Sequence, residues 1–216
     1  ARMYYRALGI FSSAEDLASY PTMPGAKPGD IKYEDVNKDN VINSRDMVRL
    51  DETETPQVVY AVNASMQFAN FDLSVLFQGQ EKAIANFDNT DNYFPVLNNN
   101  LGNFLQWRAE DRWSPANTDA TQPRGDAANV NNNTLASTQW LMDAGFLRLK
   151  NVELGYTLPA KIMNKVKIQH LRVYVNANNL LLLHDSMKDL GFDPETTDYW
   201  FYPQQRTFNI GANLTF

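Results

Sequence analysis

The chain has 216 residues, no cysteine, and 19 lysines and arginines against 25 aspartates and glutamates, for a net charge of −6. Without cysteine, disulfide frameworks and thiolate metal sites are excluded, and the absence of a basic cluster along one face argues against a nucleic-acid partner. No apolar run approaches the ~18–20 residues of a membrane helix; that leaves a membrane barrel open, because barrel strands are only half apolar.

Residues 1–56 read as an irregular region. A short helix is expected over Ser12–Ser19, capped by Ser13, with Glu15 and Asp16 in its first turn. Pro21, Pro24, Gly25, Pro28 and Gly29 then interrupt regular structure. An EF-hand-like spacing follows over 35–46. Asp35, Asn37, Asp39, Asn43 and Asp46 bring side-chain oxygens to loop positions 1, 3, 5, 9 and 12, and Val41 offers its carbonyl at position 7. Ca²⁺ takes roughly 6–8 oxygen ligands, which such a spacing can wrap around one ion. Position 6 is Asn40 rather than glycine, and position 12 is Asp46 rather than the longer glutamate. A structural Ca²⁺ is one reading. The other is a polar loop whose Asp and Asn side chains close turns with the backbone.

From Gln57 the pattern becomes strand-like. Tyr60, Val62, Ala64, Met66 and Phe68 alternate with polar residues, and so do Phe71, Leu73, Val75 and Phe77. Strands over 57–68 and 71–80 joined at Ala69-Asn70 make a hairpin. Residues 81–143 hold no convincing strand pair, and so long a stretch reads as a functional loop, a subdomain or a disordered piece. Within it, 104–113 suits a short helix ended by Ser114-Pro115. A strand over 145–158 needs a bulge near Lys150-Asn151, because Leu147 and Leu149 fall on one parity and Val152, Leu154 and Tyr156 on the other. A helical turn beginning at Pro159, a strand over 168–180, a loop through 183–203 and a final strand over 205–216 complete the chain. In that last strand Phe208, Ile210, Ala212, Leu214 and Phe216 alternate with Asn209, Gly211, Asn213 and Thr215. Its length matches the ~9–11 residues of a tilted membrane strand. Short and long connections alternate along the chain, the asymmetry of transmembrane barrels with short periplasmic turns and long outer loops.

Few residues suggest chemistry. His170 and His184 lack metal-ligand spacing, and no phosphate loop or nucleophile elbow is present. Asp193 and Glu195 are close enough for a carboxylate pair, but Asp193-Pro194 is an ordinary turn element. No enzyme is expected. The run Tyr199-Trp200-Phe201-Tyr202 fits an aromatic girdle, a stacking surface for a ligand, or packing under a loop. Trp107, Trp113 and Trp140 are expected to pack loops.

Five stretches resemble the SusC/RagA family of TonB-dependent outer-membrane transporters, in that family's order. They are Pro28 to Asn37 (PGDIKYEDVN), Phe71 to Gly79 (FDLSVLFQG), Asp111 to Asn117 (DRWSPAN), Phe146 to Pro159 (FLRLKNVELGYTLP) and Val173 to Leu180 (VYVNANNL). The resemblance implies an all-β fold, the last five strands of a 22-stranded antiparallel transmembrane β-barrel with long extracellular loops. Five strands fall short of the about eight that close the smallest membrane barrels, so a fragment of a longer transporter is expected. The resemblance further implies TonB-dependent import of an oligosaccharide or oligopeptide across the bacterial outer membrane. It implies a SusD-like surface lipoprotein as partner, and TonB as a second partner reached through the amino-terminal part. Phe208, Ile210, Leu214 and Phe216 should then face lipid, and Asn209 and Asn213 the lumen. The alternative is a soluble β-rich binding module with a calcium-stabilised loop.

Overall fold

The computed structural model describes residues 2–51, 53–87, 106–125, 132–166, 168–196 and 202–216. In chain order the strands are β1 (Met3–Tyr5), β2 (Ala7–Ile10), β3 (Ile31–Tyr33), β4 (Met47–Arg49), β5 (Val58–Phe68), β6 (Phe71–Glu81), β7 (Ile84–Asn86), β8 (Leu141–Asp143), β9 (Phe146–Thr157), β10 (His170–Asp185) and β11 (Thr207–Thr215). The α-helices are α1 (Ala14–Ala18), α2 (Gln106–Glu110) and α3 (Ala160–Val166). The chain divides into two compact units, Ala1–Asp51 with Asn86–Met142, and Glu52–Ala85 with Asp143–Phe216. The described parts of 86–142 therefore group with the first fifty residues.

The first unit is not irregular. β1 pairs with β4 and β2 with β3, both antiparallel. The Ser13 hydroxyl caps α1 by accepting from the Asp16 N–H. Tyr4, Tyr5, Phe11, Ile31, Tyr33, Ile42 and Trp140 form a buried core, with the Tyr5 and Tyr33 rings 5.2 Å apart. Burial pushes the Tyr33 phenol well above its ordinary value. The organising group is Asp30, fully buried. Its carboxylate accepts from Arg124 Nε at 2.7 Å, Asn133 Nδ2 at 2.9 Å and the Lys27 N–H at 2.8 Å. Asn133 in turn accepts from the Ile31 N–H through its side chain and from Trp140 Nε1 through its backbone carbonyl. One carboxylate thereby joins segments about a hundred positions apart.

The second unit is a five-stranded antiparallel sheet in the order β11-β10-β9-β6-β5. Ala69, at φ 54°, sits in the left-handed region of the two-residue turn between β5 and β6. The ladder slips where Leu76 pairs with Asn151 but Phe77 pairs with Leu149, leaving Lys150 as the extra residue. β10 answers with its own irregularity between Asn178 and Leu181, where Asn179 has φ 52°. β10 runs on to Asp185, five residues past the alternating stretch read from sequence.

Asp30→Ala strips Arg124 of a buried carboxylate and leaves two N–H donors unmet. We expect it to cost the first unit ~3–5 kcal/mol, read as faster amide exchange in β2 and β3 of the parent protein with the five-stranded sheet unchanged.

Candidate functional site

The functional surface is the five-stranded sheet, whose faces differ in chemistry. Register assigns every side chain to one face. Val62, Phe77 and Leu149 lie level on one face, as do Leu73, Leu154, Val175 and Ile210, and Phe71, Tyr156, Val173 and Ala212. Apart from Glu81 and His184 near the strand ends, this face is apolar and bare. Met66 is 65%, Phe208 70% and Ile210 86% exposed. A soluble module rarely leaves a contiguous apolar surface so open.

The opposite face is polar and hydrogen-bonded to itself. Asp72, Gly155 and Tyr174 are level across β6, β9 and β10. The Arg172 guanidinium crosses Gly155 to reach Asp72, donating from Nε at 3.0 Å and from Nη2. Nη2 also donates to Glu153 at 2.7 Å. A Cβ on Gly155 would run into both the guanidinium and the Asp72 carboxylate, so the crossing depends on glycine. Tyr174 similarly lies over Gly211. A row of amides continues across the strands. Asn151 donates to Asn178 at 2.8 Å, Asn178 to Asn176 at 3.1 Å, and Asn209 to Asn176 at 3.4 Å.

Above the bulge, Arg148 meets Asp193 at 2.6 Å and Glu195 at 3.4 Å, and Lys150 meets Glu195 at 2.5 Å. Asp193 also accepts from the N–H groups of Glu195 and Gln204. These two carboxylates are thus committed to ion pairs that hold the β10–β11 loop, not poised as an acid–base pair. His184 Nε2 is 3.2 Å from the Ser186 hydroxyl, and Ser186 donates to Asp143 at 3.0 Å; His170 is exposed at the start of β10.

Each of the five side chains expected to ligate calcium is used as a turn acceptor. Asp35 accepts from the Asp39 and Asn40 N–H groups, Asn37 from Asp39, Asp39 from Val41, and Asn43 from Arg45. The Val41 carbonyl accepts from Asn43 Nδ2 at 3.1 Å. Asp46 is fully buried, and its carboxylate accepts from Val36, Asn37 and Asn43, stapling both ends of the loop. The donors are all hard oxygens with a second lone pair each, which suits Ca²⁺ chemically. Three carboxylates or imidazoles do not converge on one point among the described residues, so a cation would draw also on the amide and carbonyl oxygens.

Of the aromatic candidates, Trp140 is buried and Trp113 donates to the Ser12 carbonyl at 3.2 Å. Trp107 lies 4.7 Å from the Arg108 guanidinium. Tyr199, Trp200 and Phe201, like Phe104 and Leu105 of the expected helix, lie outside the described residues; Tyr202 is exposed. Sequence reading missed Asp72, Glu153 and Arg172. Their only signal was parity, three charged residues on the polar phase of three different strands.

Known proteins place this arrangement. No family profile matches the chain. It is 28% identical to TonB-dependent receptor P26 of Formosa agariphila over 97% of this chain and 22% of the relative. It is 27% identical to TonB-dependent receptor P3 of the same organism over 98% and 22%. The chain thus spans about a fifth of the length of these relatives. Among solved structures, it is similar to the RagAB peptide transporter, with a TM-score of 0.68 at 21% identity over 99% of this chain and 22% of that one. It is also similar to the open-open state of the RagAB peptide importer, with a TM-score of 0.68 at 22% identity. The matches are receptors and transporters, not enzymes. The five strands are a piece of a transmembrane barrel wall, unclosed within this chain.

Gly155→Val should push Arg172 away from Asp72 and Glu153. We expect a loss of ~1–3 kcal/mol, measured as a lower urea midpoint for the reconstituted parent protein, with Gly145→Ala, just before β9 where an added Cβ meets only the ends of the Glu81, Asp143 and Ser186 side chains, as the milder control.

Proposed function

We propose that this chain, a SusC/RagA-like segment of a TonB-dependent transporter of the outer membrane, serves as barrel wall in the import of an oligomeric nutrient, an oligosaccharide or an oligopeptide. One observation carries the reading: a single antiparallel sheet with an exposed face that is apolar along the length of its strands and an opposite face where polar groups bond to one another. The apolar face meets lipid, and the polar face lines the water-filled interior, where its hydrogen bonds and ion pairs are tolerated. The end with the short connections, at Ala69-Asn70 and α3, faces the periplasm. The opposite end faces outward, where a SusD-like lipoprotein covers the mouth. TonB engages the parent protein through residues outside this chain. The chain itself contributes surface and shape, not bond chemistry.

Single-cysteine variants of the parent transporter test this placement. Cysteines at Phe208, Ile210 and Leu214 should resist a water-soluble maleimide in intact membranes and react in detergent. Cysteines at Asn209 and Asn213 should react once the interior is opened. Equal labelling at both parities refutes the membrane-wall reading.

We further propose that the 35–46 loop takes a structural Ca²⁺ through Asp35, Asn37, Asp39, the Val41 carbonyl, Asn43 and Asp46. Its all-oxygen donor set supports this, as do the left-handed turns at Lys38 (φ 59°) and Asn40 (φ 62°), which wrap the loop tightly. Added Ca²⁺ should raise the melting temperature of the detergent-solubilised parent protein, and Asp35→Ala with Asp39→Ala should abolish the rise. An unchanged melting temperature leaves the loop as a hydrogen-bonded turn alone.

A further inference from the structure

On the apolar face, Val152, Ala177 and Phe208 lie level across β9, β10 and β11. Ala177 is the short member of this row. Around it opens a groove of about 350 Å³ walled by Val152, Leu154, Val175, Phe208 and Ile210. No wall residue named here carries a charge. Ala177 is seven residue steps along the strand from His170, where β10 begins. At ~3.4 Å per residue this is roughly 24 Å of strand, or about 17 Å of depth at a ~45° tilt. The hydrocarbon core is ~30 Å thick, so the groove lies near its middle when the His170 end is at an interface.

Just beyond that end is α3. Lys161 and Lys165 are four residues apart and share one helical face. Both are exposed, and neither has a salt bridge or side-chain hydrogen bond among the described residues. Ile162 beside them is 50% exposed, whereas Met163 is buried and anchors the helix. Two uncommitted cations with an exposed apolar side chain at the edge of a lipid-facing surface are the features of an interfacial anchor for anionic lipid.

The geometry points to a binding site for one anionic glycerophospholipid of the inner leaflet, its phosphate against Lys161 and Lys165 and one acyl chain lying in the groove around Ala177. This rests on the bilayer placement proposed above. The two halves of the site match the two halves of the lipid. The cations stand where the headgroup layer is, and the groove lies one leaflet deeper, the reach of an acyl chain. A free phosphate ion would satisfy the lysines but has no use for the groove.

Native mass spectrometry of the parent transporter released from nanodiscs of phosphatidylethanolamine with a minor share of phosphatidylglycerol tests the site. The wild-type protein should retain phosphatidylglycerol in excess of its share. Lys161→Ala with Lys165→Ala should weaken retention by roughly 30-fold, since each lysine near an anionic surface contributes about 1 kcal/mol. Ala177→Trp, which fills the groove, should lower retention of both lipids. Unchanged phosphatidylglycerol retention in the double lysine variant overturns the site, as does loss only on filling the groove. Failure of the wild-type protein to enter nanodiscs strikes instead at the membrane-wall reading, which the cysteine labelling judges separately.

Discussion

Backbone pairing in hydrocarbon is the constraint on which the rest of this structure depends. An unmet N–H or C=O there costs several kcal/mol, so every strand needs a neighbour along its full buried length. β6, β9 and β10 are paired on both sides, while β5 and β11 are paired on one. Pairing fixes parity, and parity decides which side chains meet lipid. A slip of one residue would carry Asp72 and Arg172 toward the membrane and Ile210 away from it. The open edges of β5 and β11 call for partner strands, in keeping with a chain that spans 22% of its relatives' length.

The irregularity at Lys150 shows how strictly parity is kept. Val152, Leu154 and Tyr156 sit an odd number of positions from Leu147 and Leu149, so an unbroken strand would put one group or the other on the wrong face. The extra residue restores both groups to the apolar side. It also puts Arg148 level with Gln78 on the polar side, where Asp193 and Glu195 reach it. β10 must adjust at the same height, and Asn179 absorbs the change with a left-handed backbone that asparagine tolerates better than most residues.

Period-two alternation made the five long strands legible, and the clash of parities within Phe146 to Leu158 located the bulge. The Ser13 cap was also legible, because an N-cap is local chemistry. Pairing between distant residues was not. Asp30 is far in sequence from Arg124 and Asn133, and nothing in either neighbourhood names the other. β1 to β4 are three or four residues long, too short to show a period, so their region read as irregular. The face of Asp72, Glu153 and Arg172 could be read from their positions, but not that one guanidinium serves both carboxylates, which depends on Gly155 leaving room in the strand between.

Desolvation sorts the charges of the sheet unit. On the polar face, charged groups occur in contact with opposite charge: Arg172 with Asp72 and Glu153, and Arg148 and Lys150 with Asp193 and Glu195. A protein wall at one's back removes half of the water that would otherwise screen a charge, so pairing is favoured there. On the apolar face, the residues level across the strands carry no charge except Glu81, at the very end of β6, because hydrocarbon offers no counter-charge at all. Among the described residues, cations of this unit without an ion pair stand past the strand ends, as at Lys161 and Lys165, where water and lipid headgroups share the work of solvation. Moving along the sheet from interior to interface, the chain goes from charges matched within itself to charges left for its surroundings to match, and that gradient follows the local dielectric rather than any one residue's identity.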